Sequence, residues 1–125
     1  MPTDIFKNVR TVAVPVTDQE RTKSLLEQLG FTVSMDAELQ PGFRWIEMSL
    51  AGEATVALVQ TGPELPTGID TGIRLETDDA RAAHAAVGAA GLDAGELLDW
   101  PGVPLMFSFA DLDGNRFYVS EGSVS

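Results

Sequence analysis

The strongest constraint on this fold is a repeat. The stretch VAVPVTDQERTKSLLEQLGF begins at Val12, and IRLETDDARAAHAAVGAAGL begins at Ile73. Each runs from a few alternating residues through a Thr/Asp helix start and one amphipathic helix to a glycine and an apolar residue. A shift of 61 pairs Asp18 with Asp79, Gly30 with Gly91 and Phe31 with Leu92. Carried outward, it pairs Thr11 with Gly72 and Ala57 with Tyr118. Identity between the halves is low, so the shared pattern and spacing carry the repeat.

Each half reads as strand, helix and three further strands. Val9 to Val16 alternates and is rich in β-branched residues, which suits a strand with one face on a core. Thr17 or Asp18 can cap the helix by accepting from an orphan backbone N–H. Leu25, Leu26 and Leu29 form its buried stripe, and Gly30 supplies the left-handed stop. Strands are predicted near Phe31–Ala37, Arg44–Leu50 and Thr55–Gln60, separated by the turns QPG and AGE. The segment TGPELPTG from Thr61 holds two prolines and two glycines. It reads as a linker over 61–69 between modules spanning 8–60 and 70–121, together one domain over 1–125. The second half repeats the order: a strand at Ile73–Glu76 and a helix at Asp78–Ala90 with Ala83, Ala86, Val87 and Ala90 inward. Strands near Glu96–Trp100, Leu105–Ala110 and Arg116–Glu121 complete it. DLDGN at Asp111–Asn115 is a strong tight-turn signal.

Bulk properties narrow the function classes. A chain of 125 residues fits one compact domain. A net charge of −11 repels phosphate backbones, which argues against nucleic acid and suits a cationic ligand or plain solubility. No apolar run approaches the roughly 18 residues of a membrane span. Met1–Asp4 lacks a charged-then-apolar leader, so a cytoplasmic location away from membranes is expected. With no cysteine there is no thiolate and no sulfur metal ligand.

VAVPVTD leading into a helix that ends LGF, the second start IRLETDD, and above all FSFADLDGNRFYVSE resemble the vicinal oxygen chelate superfamily. That group includes glyoxalase I, extradiol dioxygenases and bleomycin-resistance proteins. The resemblance covers the chain from about Asn8 to Glu121. It implies an α+β fold of two βαβββ modules whose curled mixed sheets surround a shared cavity, and it implies a homodimer, in some relatives with modules exchanged between chains.

Metal-dependent relatives place one ligand on the first and one on the last strand of each module. By this resemblance those positions fall on Thr11, Gly72, Ala57 and Tyr118. Thr, Gly and Ala supply no anionic or imidazole donor, and neutral Tyr is a poor ligand for a divalent ion. The single histidine, His84, lies mid-helix and is read as pointing to solvent. No metal, cofactor or catalytic residue is therefore expected, although a carboxylate site using Glu47 or Glu76 is a minor alternative.

Strand parity then lists what faces the cavity. With Thr11 inward, Ala13 and Pro15 follow, while Val12, Val14 and Val16 pack under the helix. Gly72, Arg74 and Glu76 face inward from the partner strand, and Thr55, Ala57 and Val59 from the first module's last strand. Arg116, Tyr118 and Ser120 do so from the second's. Trp45 is equivalent to Met106, and Glu47 to Ser108. The candidate ligand-binding set is Thr11, Trp45, Glu47, Ala57, Arg74, Glu76, Met106, Ser108, Arg116 and Tyr118. Arg74 either contacts a ligand or pairs internally with Glu76 or Glu47. Tyr118 either orients a ligand or fills the space a metal would take. Trp45, Trp100, Phe107 and Phe109 either stack on a planar ligand or belong to the core. Trp100, beside PGVP, is expected as a lid.

Two functions follow. The first is a metal-free binding protein of the bleomycin-resistance type, sequestering a cationic or planar small molecule, an antibiotic among the candidates, in a dimer cavity. The second is a glyoxalase-like lyase or isomerase, or a dioxygenase-type enzyme, with a non-standard site built on Glu47, Glu76 or Tyr118.

Overall fold

The computed structural model describes residues 5–122. Met1–Asp4, on which the expectation about a leader rested, lie outside the described residues. The repeat is physical. Asp18 caps helix α1 (Gln19–Gln28) by accepting from Arg21 N–H at 3.0 Å, and Asp79 caps α2 (Ala80–Ala89) by accepting from Ala82 N–H at 3.0 Å. Gly30 and Gly91 end the two helices at φ +99° and +86°, a backbone region that costs glycine nothing.

Around each helix the chain builds the same sheet. Strands β1 (Thr11–Val16), β2 (Thr32–Gln40), β3 (Phe43–Ser49) and β4 (Thr55–Gln60) order as β1-β4-β3-β2. Strands β5 (Asp70–Thr77), β6 (Asp93–Ala94), β7 (Met106–Ala110) and β8 (Arg116–Glu121) order as β5-β8-β7-β6. The first and last strand of each module run parallel, and all other pairings are antiparallel. This is the expected α+β architecture of two βαβββ modules, and neither sheet closes into a barrel. Among the described residues no helix is long and apolar enough to cross a membrane.

The helix-facing side of each sheet supplies the core. Val14, Val16, Ile46, Met48 and Leu58 from the first sheet join Phe107, Phe109, Phe117 and Val119 from the second in one buried cluster, with Leu26 and Val87 from the helices. Phe109 and Phe117 stack at 5.2 Å between centroids. Parity on β5 is as expected: Ile73 and Leu75 pack against the core, while Gly72, Arg74 and Glu76 alternate to the exposed side.

The DLDGN turn joins the modules. Asn115 is fully buried, and its amide nitrogen donates to the Pro15 carbonyl at 2.8 Å and to Asp111 Oδ2 at 2.9 Å. Its amide oxygen accepts from Gly68 N–H and Ile69 N–H at 2.9 and 3.2 Å. Asp113 reaches the end of β1, accepting from Thr17 Oγ1 at 2.6 Å. Among the described residues no buried side-chain polar atom lacks a partner.

Several local expectations are corrected. Pairing of β1 begins at Thr11 rather than Val9, because Val9 and Arg10 are exposed. β2 runs on to Gln40, and β5 starts at Asp70, three residues before the apolar pattern becomes visible. The strand expected at Glu96–Trp100 lies instead at Asp93–Ala94, followed by a lone bridge between Leu98 and Met106. Gly95 is the reason. Its N–H donates to the Ser108 carbonyl at 2.7 Å, and a Cβ there would stand 3.0 Å from that oxygen, so the chain presses close and then leaves through Trp100–Pro101–Gly102. Ala86, expected inward, is exposed at the edge of a groove between the modules. His84 does not point to solvent. It is half-buried, its Nε2–H donates to the Gly95 carbonyl at 2.8 Å, and its ring meets Phe107 edge-on at 5.0 Å. A carbonyl on the neighbouring loop captures the imidazole that helix periodicity alone would leave outside.

Candidate functional site

The sheet faces away from the helices differ between modules. On the first, register places Ala13 beside Ala57 and Glu47 beside Ala57. Glu47 is only 5 % exposed, with Oε2 accepting from the Trp45 indole N–H at 2.7 Å and Oε1 from Thr55 Oγ1 at 3.1 Å. Arg10 stands 3.7 Å from Oε2. The indole bond, then the Thr55 hydroxyl and Arg10, hold the carboxyl below its ordinary range despite burial. Ala57 is fully buried, and Thr11 donates its hydroxyl to the Thr55 carbonyl at 3.2 Å. This face is occupied by its own side chains.

The second module's face is open. A cleft of about 430 Å³ lies over it, lined by Arg74, Met106, Ser108 and Tyr118 with Leu98 and Pro104. Register explains the convergence, since Arg74 and Ser108 both stand directly opposite Tyr118 on neighbouring strands. The Arg74 guanidinium carbon lies 3.9 Å from the Tyr118 ring centroid. Arg116 donates to Ser108 Oγ at 3.2 Å from the cleft's edge. The Tyr118 hydroxyl donates to Asp70 Oδ2 at 2.5 Å. That bond raises the phenol above its usual range. Together with the Gly72 N–H, and more weakly with Arg74 and Arg116, it holds the Asp70 carboxyl low.

The ten expected residues therefore divide. Arg74, Met106, Ser108 and Tyr118 are brought together, with Arg116 beside them. Glu76 turns toward two other grooves: one of about 410 Å³ between β1 and β5, and one of about 150 Å³ near α2. Thr11, Trp45, Glu47 and Ala57 sit on the other sheet. Arg74 pairs with neither Glu76 nor Glu47, since Glu47 is held by Trp45, Thr55 and Arg10, and Arg74 stacks on Tyr118. Phe107 and Phe109 belong to the core. Trp100 is 57 % exposed and is not part of the cleft wall. Asp70 escaped notice because Asp-Thr-Gly reads as a turn, and Leu98 and Pro104 because they lie in the irregular stretch after Gly95.

The four positions where metal-dependent relatives hold an ion do not fit one here. Thr11 spends its hydroxyl proton on a carbonyl, Ala57 and Gly72 offer no donor, and Tyr118 is a neutral phenol bonded to Asp70. Among the described residues no three His, Asp or Glu side chains come together to hold an ion.

A pair of curled βαβββ sheets with an open cleft on one of them is an architecture that solved structures share. TnmS3, an antibiotic-binding protein from Streptomyces sp. CB03234, is 28 % identical with a TM-score of 0.81, over 95 % of this chain and 98 % of that one. A glyoxalase/bleomycin resistance protein/dioxygenase superfamily member from Sphaerobacter thermophilus is 26 % identical with a TM-score of 0.85, over 94 % and 99 %. A glyoxalase/bleomycin resistance protein from Streptomyces sp. CB03234 is 28 % identical with a TM-score of 0.76, over 90 % and 99 %. No family model and no curated protein matches the sequence. The chain is thus similar in fold and over nearly its whole length to members of the vicinal oxygen chelate superfamily, the resemblance the closing signature implied.

Proposed function

We propose that this chain is a metal-free small-molecule-binding protein of the glyoxalase/bleomycin-resistance type, which sequesters a planar organic ligand, an antibiotic among the candidates. The observation that carries the reading is the open, mostly apolar cleft on the second module with Arg74, Ser108 and Tyr118 converging in its wall. Few polar groups in an apolar cleft are the mark of an organic-ligand site. The unfit donor set at the four metal positions removes the chemistry that enzymes of this fold use. The similarity to an antibiotic-binding protein over nearly the whole chain supports the same reading. The cleft lacks a roof within one chain, so a homodimer in which a second copy covers it completes the cavity.

The test is calorimetry of metal-stripped protein against a panel of planar antibiotics, with light scattering for mass. A ligand at 100 times its Kd stabilises the fold by about 2.7 kcal/mol, which raises Tm by several degrees. Binding that persists in chelator and a mass of two chains are the expected results. A stoichiometric divalent ion whose removal abolishes binding or turnover would falsify this reading.

A further inference from the structure

Of the six arginines in this acidic chain, three are paired with a carboxylate, and Arg21 lies on α1, away from the cleft. Arg10, Arg44 and Arg81 each lie within 4.0 Å of a carboxylate, at 3.7 Å from Glu47, 2.7 Å from Asp36 and 3.9 Å from Asp99. Arg74 and Arg116 have no such partner among the described residues, yet both stand on one sheet face and flank the same tyrosine. Arg74 is opposite Tyr118 in register, and Arg116 precedes it by two residues, hence on the same side. Their stacking and hydrogen-bond partners are neutral: the Tyr118 ring and the Gly72 carbonyl for Arg74, the Ser108 hydroxyl for Arg116, while Asp70 acts on both only through space. Asp70, the carboxylate beside them, already accepts from the Tyr118 hydroxyl and the Gly72 N–H. Glu76, two residues from Arg74 on β5, lines the neighbouring groove, and Glu96 lines the cleft itself, after β6. That is three strand spacings from β5, or roughly 14 Å. The β5–β8 edge thus carries two arginines against the one carboxylate of Asp70, and the far edge carries Glu96.

We propose that Arg74 and Arg116 form the recognition site for an acidic oxygen, a carboxylate or an ionised phenol, carried on the rim of a planar aromatic ligand. The inference rests on the small-molecule reading above and names the ligand's chemistry. Tyr118 supports one face of the Arg74 guanidinium and leaves its outward in-plane N–H donors for an oxygen at the edge of a ring that lies alongside. Arg116 exchanges a neutral hydroxyl acceptor for a charged one, and bonds of that kind are about twice as strong as neutral ones. The chain's negative surface as a whole favours cations; this wall carries the opposite sign and sets the selection.

The experiment titrates the protein with 2-naphthoate, 2-naphthamide and 2-naphthylmethylammonium, following heat and the side-chain N–H resonances of the arginines. Naphthoate is expected to bind at least about tenfold tighter than the other two, a difference near 1.4 kcal/mol. Arg74→Gln and Arg116→Gln each remove that advantage, weakening naphthoate more than naphthamide. Arg21→Gln, which removes a positive charge from α1, leaves the preference intact. Both cleft arginines are exposed, so the variants fold, and circular dichroism confirms it. Amide or ammonium binding as tight as the carboxylate overturns the anion site and leaves the ligand site standing. No binding by any of the three probes overturns the small-molecule reading, and the anion site with it.

Discussion

The two sheet faces began as copies and now do opposite things. On the first module a carboxylate, Glu47, is buried and fully bonded, with the Trp45 indole laid against it. On the second, the equivalent of Trp45 is Met106 and the equivalent of Glu47 is Ser108, and the face stands open beneath a cleft of about 430 Å³. One hollow is filled by its own side chains and the other is open. Backbone duplication makes two cups; side-chain volume and charge decide which one is empty.

The most damaging way to disturb this contrast is to loosen the turn that fixes the modules against each other. Asn115→Ala strands Gly68 N–H, Ile69 N–H and the Pro15 carbonyl, and at about 1–3 kcal/mol for each buried unpaired group the loss should be on the order of 3–5 kcal/mol. Chemical denaturation measures it, and a loss under about 1 kcal/mol would show that water replaces the amide. Next, Glu47→Ala leaves the Trp45 and Thr55 donors without an acceptor and should cost about 1–3 kcal/mol, with naphthoate affinity unchanged. An equal loss of affinity would mean that the faces work as one site.

A smaller effect reads the open face directly, because Tyr118 is the only tyrosine. Its pKa is raised by Asp70, so the Tyr118–Asp70 bond stabilises the fold fully below the unfolded phenol value of ~10 and is lost as pH rises through the higher folded value. Asp70 is lowered, so its share is present above ~3.9 and lost as pH falls through the depressed value. Phenolate absorbance should show a midpoint above ~10 that drops toward ~10 in Asp70→Asn. An unchanged midpoint would dissolve the pairing. The smallest effect belongs to the outer surface of the first module, where Arg44 and Lys23 hold Asp36 at about 2. That stabilisation is present above ~3.9 and disappears only as pH falls through about 2, so Arg44→Gln should lower Tm slightly at pH 7 and not at all near pH 1.5. A Tm loss that persists at that acidity would assign Arg44 a packing role instead.

Much of the architecture was legible because its signals are local. Asp18 and Asp79 cap, Gly30 and Gly91 stop, and β8 falls at Arg116–Glu121 as its alternation reads. What escaped depends on contacts distant in sequence. His84 is turned inward by a carbonyl eleven residues on, and the edge strand of the second sheet is displaced by the close approach of Gly95 to Ser108. Strand parity placed Arg74 and Tyr118 on one face, and the 61-residue shift set Ser108 against Glu47. Parity gave no hint that Arg10 would reach Glu47, or that Trp45 would fold over the same carboxylate, because it fixes a side of the sheet and says nothing of where a long side chain travels.

Pro15 and the amide that grips it are separated by 100 residues. During synthesis the first half can cap its helix and pair its strands long before Asn115 leaves the ribosome. Its seating against the second half is decided only when that late hairpin forms. Until then the apolar underside of the first sheet is without its mate, and nascent chains halted in that interval are the ones most exposed to misassembly.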